Sequence, residues 1–351
     1  MAKKGLVVPA FEPDQATRDS LDKLRERGAV AVCFFNNKGG VGKTTLVANL
    51  AAELALEMNC KVLVVDADPQ CNLTQYVLDD DTFVQHYKEI DNPPSIYEVI
   101  HPLSIGKGYK KNLPVTRSSA FGFDIIIGDP RLALKEDLLA TDWRDAKSGG
   151  TRGLRTTFVF KDLIEKANNY DFIFFDMGPS LGAINRSVLL AVDYFVVPIS
   201  IDIFSLWALQ NIGTAVKLWQ KELSVGLGMA EDPTEIPYQS GVQRLRFLGY
   251  VTQQHKERTE GGNRRIVEAY EAISRKLPSE IPRNLGGLYD PKAINPHLGD
   301  IKHLASLAPK SQTLHTPMIT VSVKGSYTSL RKHARQMYRD IATKFIKNLA
   351  L

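Results

Sequence analysis

The residues best suited to chemistry lie together in Asn36-Asn37-Lys38-Gly39-Gly40-Val41-Gly42-Lys43-Thr44-Thr45. An apolar run over 29–35 leads into this stretch and a helix-forming run over 46–57 leads out. A strand, a glycine-rich turn and a helix N-terminus make an anion site, because backbone N–H groups converge there and the helix dipole favours negative charge. In such a loop Gly39, Gly40, Val41, Gly42 and Thr45 supply backbone, and Lys43 reaches the β- and γ-phosphates of a nucleotide. The Thr44 hydroxyl ligates Mg²⁺. The standard loop carries glycine five residues before Gly42; this chain has Asn37 there, followed by a second lysine, Lys38.

Carboxylates come from two further stretches. An apolar strand over 62–65 ends in Asp66, with Asp68 just beyond, and a second over 172–175 ends in Asp176. A parallel strand delivers such residues to its carboxyl edge, where ligands bind in open α/β sheets. Asp176 has the Walker B placement that holds Mg²⁺, often through water, and the turn Gly178-Pro179-Ser180-Leu181-Gly182 follows it. Alone, each aspartate reads as a turn cap. Together, after a phosphate loop, they read as a site.

The elements that must position these groups alternate. Apolar strands are expected over 29–35, 61–66, 123–128, 171–176 and 194–198, with two more over 245–252 and 317–323. Helical patterns fall over 43–57, 158–168, 184–191, 204–222 and 327–349. Nearly continuous apolar strands separated by helices predict an α/β fold: a doubly wound, mostly parallel sheet with helices on both faces. Residues 1–28 form an N-terminal arm with an amphipathic helix over 13–27, suited either to pack on the main domain or to meet a partner. Residues 29–351 form the main domain, with excursions over 79–116, which holds a short helix at 95–100, and over 254–316.

Composition narrows the alternatives. An apolar share of 44% and a charged share of 24% allow a full core in a globular protein. Cys33, Cys60 and Cys71 contain no C-x-x-C spacing, which excludes a disulfide framework and gives no support for zinc or an iron–sulfur cluster. The apolar stretch after Lys3 and Lys4 is broken by Pro9 and Glu12, so no signal peptide is expected, and the run over 188–203 is interrupted by Asp193, Pro198 and Asp202. A cytoplasmic protein is the expectation. The net charge of +5 permits nucleic-acid or anionic-membrane binding without demanding either.

On the K-G-G-x-G-K-T-T loop, the D-x-D-P-Q stretch and F-x-x-x-D-x-x-P-S-L-G, the chain resembles the ParA/MinD class of deviant-Walker ATPases, and within it the ParA branch. The resemblance runs from residue 29 to the end, tightest to about residue 215. It implies ATP and Mg²⁺ as cofactors and a homodimer sandwiching ATP, in which Lys38 reaches the partner's phosphates, as an arginine finger does. It further implies that Asp68 orients the attacking water, that Asp176 and Thr44 serve the metal, and that Asp66 supports the metal shell or its hydrogen bonds. Slow ATP hydrolysis stimulated by a partner protein is implied as well, as in a switch. Gly178 departs from the family's usual proline.

ParA relatives bind DNA non-specifically through basic residues near the C-terminus. Here Arg331, Arg335 and Arg339 fall on one helix stripe with Lys332 beside them, and Lys256, Arg258, Arg264 and Arg265 form a second cluster. The competing reading of the helix is a solvated face with dipole-compensating cations. A MinD-like membrane switch would use an amphipathic tail, which Ile341, Phe345, Ile346 and Leu349 resemble weakly; they also continue a core stripe. A ParA-like subunit gating another assembly is a further alternative.

Overall fold

The computed structural model describes residues 12–88, 93–238, 245–253, 264–302, 304, 306–322 and 327–351, excepting the side chains of 264–270. Among them eight strands form one sheet: β1 (Val30–Phe34), β2 (Val62–Asp66), β3 (Val115–Ser118), β4 (Phe123–Ile126), β5 (Phe172–Asp176), β6 (Tyr194–Ser200), β7 (Arg246–Gln253) and β8 (His297–Ile301). Their order is β3-β4-β2-β5-β1-β6-β7-β8, parallel throughout except for β3 against β4. The helices before the second half of the sheet are α1 (Gln15–Arg27), α2 (Lys43–Leu56), α3 (Asn72–Val77), α4 (Asp80–Lys88), α5 (Tyr97–Ser104), α6 (Glu136–Lys147), α7 (Thr151–Thr157) and α8 (Val159–Lys166). Those after it are α9 (Ala183–Ala191), α10 (Ile203–Gly228), α11 (Arg264–Leu285), α12 (Leu307–Thr313) and α13 (Thr328–Leu349).

Both faces of the sheet are covered, so its central strands are buried at every position. Side chains alternate between two cores. Ala31, Cys33 and Phe35 join Phe160, Val188 and Leu209 on one face, while Val32 and Phe34 join Leu46, Leu50 and Phe345 on the other. Phe174 meets Phe34 at 5.0 Å and Phe345 at 5.5 Å between ring centroids, fixing α13 beside α2. Burying each such ring stabilises the fold by about 1.5–3 kcal/mol. Helix α1 docks on the second core through Leu21 and Leu24 and touches α13.

The strand expected over 317–323 does not form within the described residues: at 317–322 the chain turns, because the Pro317 carbonyl accepts from the amides of Thr320 (2.9 Å) and Val321 (3.1 Å). Met318, Ile319 and Val321 are buried all the same, which explains the apolar run. Val323 lies outside the described residues. The last sheet position is taken by β8, beside β7.

Candidate functional site

Strand register decides which side chains meet. Phe34 of β1 and Asp66 of β2 both lie opposite Asp176 of β5, so the phosphate loop, Asp66 and Asp176 reach the carboxyl edge at one level. The loop then enters α2 through Gly42, which is left-handed (φ +72°), as is Gly40. No side chain caps α2, so its first amides stay directed at the cavity. The left-handed backbone is what favours glycine here, and a Cβ at Gly42 would in addition have to push aside the end of the Gln253 side chain, 2.4 Å away at Nε2. Gln253, at the end of β7, is a contact that sequence reasoning missed; nothing in the local pattern marks it.

Lys43 is buried and donates to the carbonyls of Asn36 and Lys38, both at 3.3 Å. Burial lowers its pKa, opposed by the charges of Asp176 and Asp68. The Thr44 hydroxyl donates to Asp176 Oδ2 at 2.7 Å, while Asp176 Oδ1 is buried with no partner. Burial, then the neighbouring Asp66 charge, raises the Asp176 carboxyl to about 8. An unpaired carboxylate oxygen beside a threonine hydroxyl, under an amide-lined loop, fits a divalent cation held with a phosphate.

Asp66 is held by hydrogen bonds of its own. Its Oδ2 accepts from the Thr74 amide (2.9 Å) and hydroxyl (2.6 Å), and its Oδ1 from the Asp68 amide (3.3 Å). These bonds hold the turn into α3 and the Asp68 backbone, and burial raises the Asp66 carboxyl to about 6. Asp68 lines the cavity, its Oδ1 accepting from the Gln70 amide at 3.0 Å. A Cβ at Gly178 would stand 3.2 Å from that same oxygen, so glycine gives Asp68 its room. The turn after Asp176 is held by Asn185 Nδ2, which donates to the carbonyls of Gly178 (2.8 Å) and Ser180 (2.6 Å). Glu136 caps α9 through the amides of Ala183 and Ile184.

These groups open on a cavity of about 830 Å³, lined by 39–45 of the loop, Asp68, Pro179, Tyr76, Phe83, Gln312 and His315. The last four are new to the site. Tyr76 is fixed by Asn49 Nδ2 (2.9 Å) and Ser311 Oγ (2.6 Å), a junction of segments too far apart in sequence to be read together. Lys38 sits at the rim, its amide bonded to Asn36 Oδ1 (2.9 Å) and its ammonium paired with Asp202. Asn36, fully buried, also donates to the Pro198 carbonyl at 2.8 Å.

A family model described as an AAA domain matches residues 29–229. The chain is 30% identical over 202 residues to the chromosome partitioning protein ParA of Myxococcus xanthus, spanning 56% of this chain and 62% of that protein. It is equally 30% identical over 199 residues to the sporulation initiation inhibitor protein Soj of Bacillus subtilis, spanning 56% and 68%. The chain belongs to the ParA/MinD type of P-loop ATPases. The matched part spans about three-fifths of the length of the first such ParA relatives. Among solved structures, protein DIP2308 from Corynebacterium diphtheriae is 30% identical with a TM-score of 0.68, covering 82% of this chain and 97% of that one. A putative plasmid partition protein of Borrelia burgdorferi, bound to AMPPNP, shares the fold at 18% identity and a TM-score of 0.55, covering 91% and 99%.

Against the ParA pattern, the basic stripe on α13 is a correction. Arg335 turns inward and forks onto both oxygens of Glu57 (2.7 and 2.8 Å), Arg339 pairs with Glu53 and Glu57 at 3.6 Å, and Arg331 donates to the Val321 carbonyl at 3.3 Å. The stripe faces α2, where Glu53 is fully buried and needs the cations. Lys332 is exposed. Arg264 and Arg265 open α11, and Lys256 and Arg258 lie outside the described residues. Ile341, Phe345, Ile346 and Leu349 are buried in the second core, and no helix among the described residues is long and apolar enough to cross a membrane.

Proposed function

We propose that this ParA-type chain is an ATP-gated switch: two copies close around bound MgATP, hydrolyse it slowly, and release each other. The single observation that carries the reading is Lys38, a second lysine set at the rim of the loop, with its ammonium directed to Asp202 instead of into its own cavity. A cation so placed is suited to a phosphate that arrives on another copy. Within one copy, the α2 amides and Lys43 bind the phosphates, Thr44 and Asp176 hold Mg²⁺, and Asp68 orients water, its carboxylate held by the Gln70 amide. The metal, when bound, supplies charge neutralisation for phosphoryl transfer.

Non-specific DNA binding, and stimulation of hydrolysis by a partner protein, complete the proposed role in positioning DNA or another cargo. With Arg335 and Arg339 engaged, the DNA-facing charge on α13 would come from exposed Lys332, Lys344 and Lys347, joined by Arg264 and Arg265 at the start of α11. A second reading, a nucleotide-gated subunit of another assembly, is favoured by the exposed Ile203, Phe204 and Trp207 beside the loop. ATP-dependent retention on random-sequence DNA at two salt concentrations separates the two. Lys38→Ala tests the switch: it should lose ATP-dependent dimerisation and hydrolysis together, and parental values for both would refute the proposal.

A further inference from the structure

Asp202 has no part in binding a nucleotide in the proposed switch, yet the structure fixes it firmly. It is the N-cap of α10: Oδ1 accepts from the Ser205 amide at 3.1 Å, and Oδ2 from the Ser205 hydroxyl at 3.3 Å. Ser205 is fully buried, so the carboxylate cannot swing away without uncapping the helix. The same Oδ2 receives the Lys38 ammonium. On the other side, the Lys38 amide is held by Asn36, and Asn36 by Pro198 of β6, four residues before Asp202. The loop and the β6–α10 junction are thereby joined at two points, one through backbone and one through charge.

We infer that Asp202 is a positioning residue that holds Lys38 in its own protomer, so that the lysine becomes available to a second copy only when a phosphate there displaces the carboxylate. This rests on the proposed switch and adds its regulation. A triphosphate carries more negative charge than one carboxylate, so the exchange is favourable with nucleotide and unfavourable without it. Each partner of the pair keeps 31% side-chain exposure, which places its strength in the modest range for screened ion pairs. Opening one such pair changes an equilibrium by roughly 1.5- to 5-fold, and a symmetric dimer opens two, so their removal should tighten the dimer by roughly 2- to 30-fold.

Asp202→Asn isolates the effect, because asparagine caps a helix as well as aspartate but carries no charge. Dimer dissociation constants are measured by sedimentation with MgATPγS for the parent, D202N, K38A and the double variant. The inference predicts a tighter D202N dimer and no effect of D202N in the K38A background. An unchanged or weaker D202N dimer overturns it while leaving the switch intact, and an equal effect in both backgrounds marks a mere helix cap. A parent that never dimerises with nucleotide overturns the switch and this inference together. Where K38A dimers are too weak to measure, acylation of Lys38 in the nucleotide-free protein, followed by mass spectrometry, decides. D202N should raise labelling at Lys38 and leave other lysines unchanged, and equal labelling refutes the hold.

Discussion

Replacing Asp176 by asparagine should change how stability depends on pH more than it changes stability at any one acidic pH. Asp176 is fully buried, and its carboxyl is raised from 3.8 to about 8, first by burial and then by Asp66. Between those values the folded, nucleotide-free protein holds a proton that the unfolded chain gives up. The Asp176 contribution to stability is therefore greatest at low pH and is lost as pH rises toward 8. At 1.36 kcal/mol per pH unit, the ceiling is roughly 5–6 kcal/mol. Lys43 nearby opposes the shift, and Asp66 and Asp176 titrate as a pair, so a loss on the order of 2–3 kcal/mol is the working expectation. The Tm of the parent should then fall, relative to D176N, by about 3–4 °C between pH 5 and pH 9 in a chain of this size. Taking the difference between the two proteins cancels other buried acids such as Glu53, raised to about 7. Thermal melts at five pH values without nucleotide or Mg²⁺ provide the assay. Parallel curves for the two proteins would refute the reasoning.

Three other outcomes rest on contacts of the loop, of Asp68 and of α13. Gly42→Ala places a Cβ against Gln253 in a left-handed position and should weaken ATP binding at least about 10-fold by calorimetry, with the fold intact. Asp68→Asn should lower kcat at least about 10-fold while leaving KM nearly unchanged, as expected for a group that acts on the water rather than on the nucleotide. Arg335→Ala removes the forked partner of Glu57 at the end of α2 and should destabilise by about 2–4 kcal/mol in denaturant titration, whatever its effect on DNA.

The site was legible where the sequence is local. A strand, a glycine loop and a helix fall within 29–57, and their residues meet because they are chain neighbours. Asp176 was legible because it ends an apolar strand, and parallel register does the rest. The hydrogen bonds that Asp66 makes to Thr74 were not legible, since side-chain direction at a strand end is set by the next turn of the chain. The stripe on α13 shows the same limit. A period-four row of arginines looks alike whether it meets water or a buried Glu53 on another helix. Strands β3 and β8 were not legible because V-T-R-S and H-L-G-D-I are half polar, as suits the edges of a sheet. Tyr76 and His315 reach the cavity, and Gln253 reaches Gly42, from distant segments that only tertiary packing brings together.

The central claim is that ATP, and not ADP, brings two copies together through Lys38. Sedimentation velocity of the parent protein with MgATPγS and with MgADP tests it most directly. The account predicts a dimer with the first, a monomer with the second, and a monomer with both in Lys38→Ala. A single species of the same mass under all these conditions would contradict it.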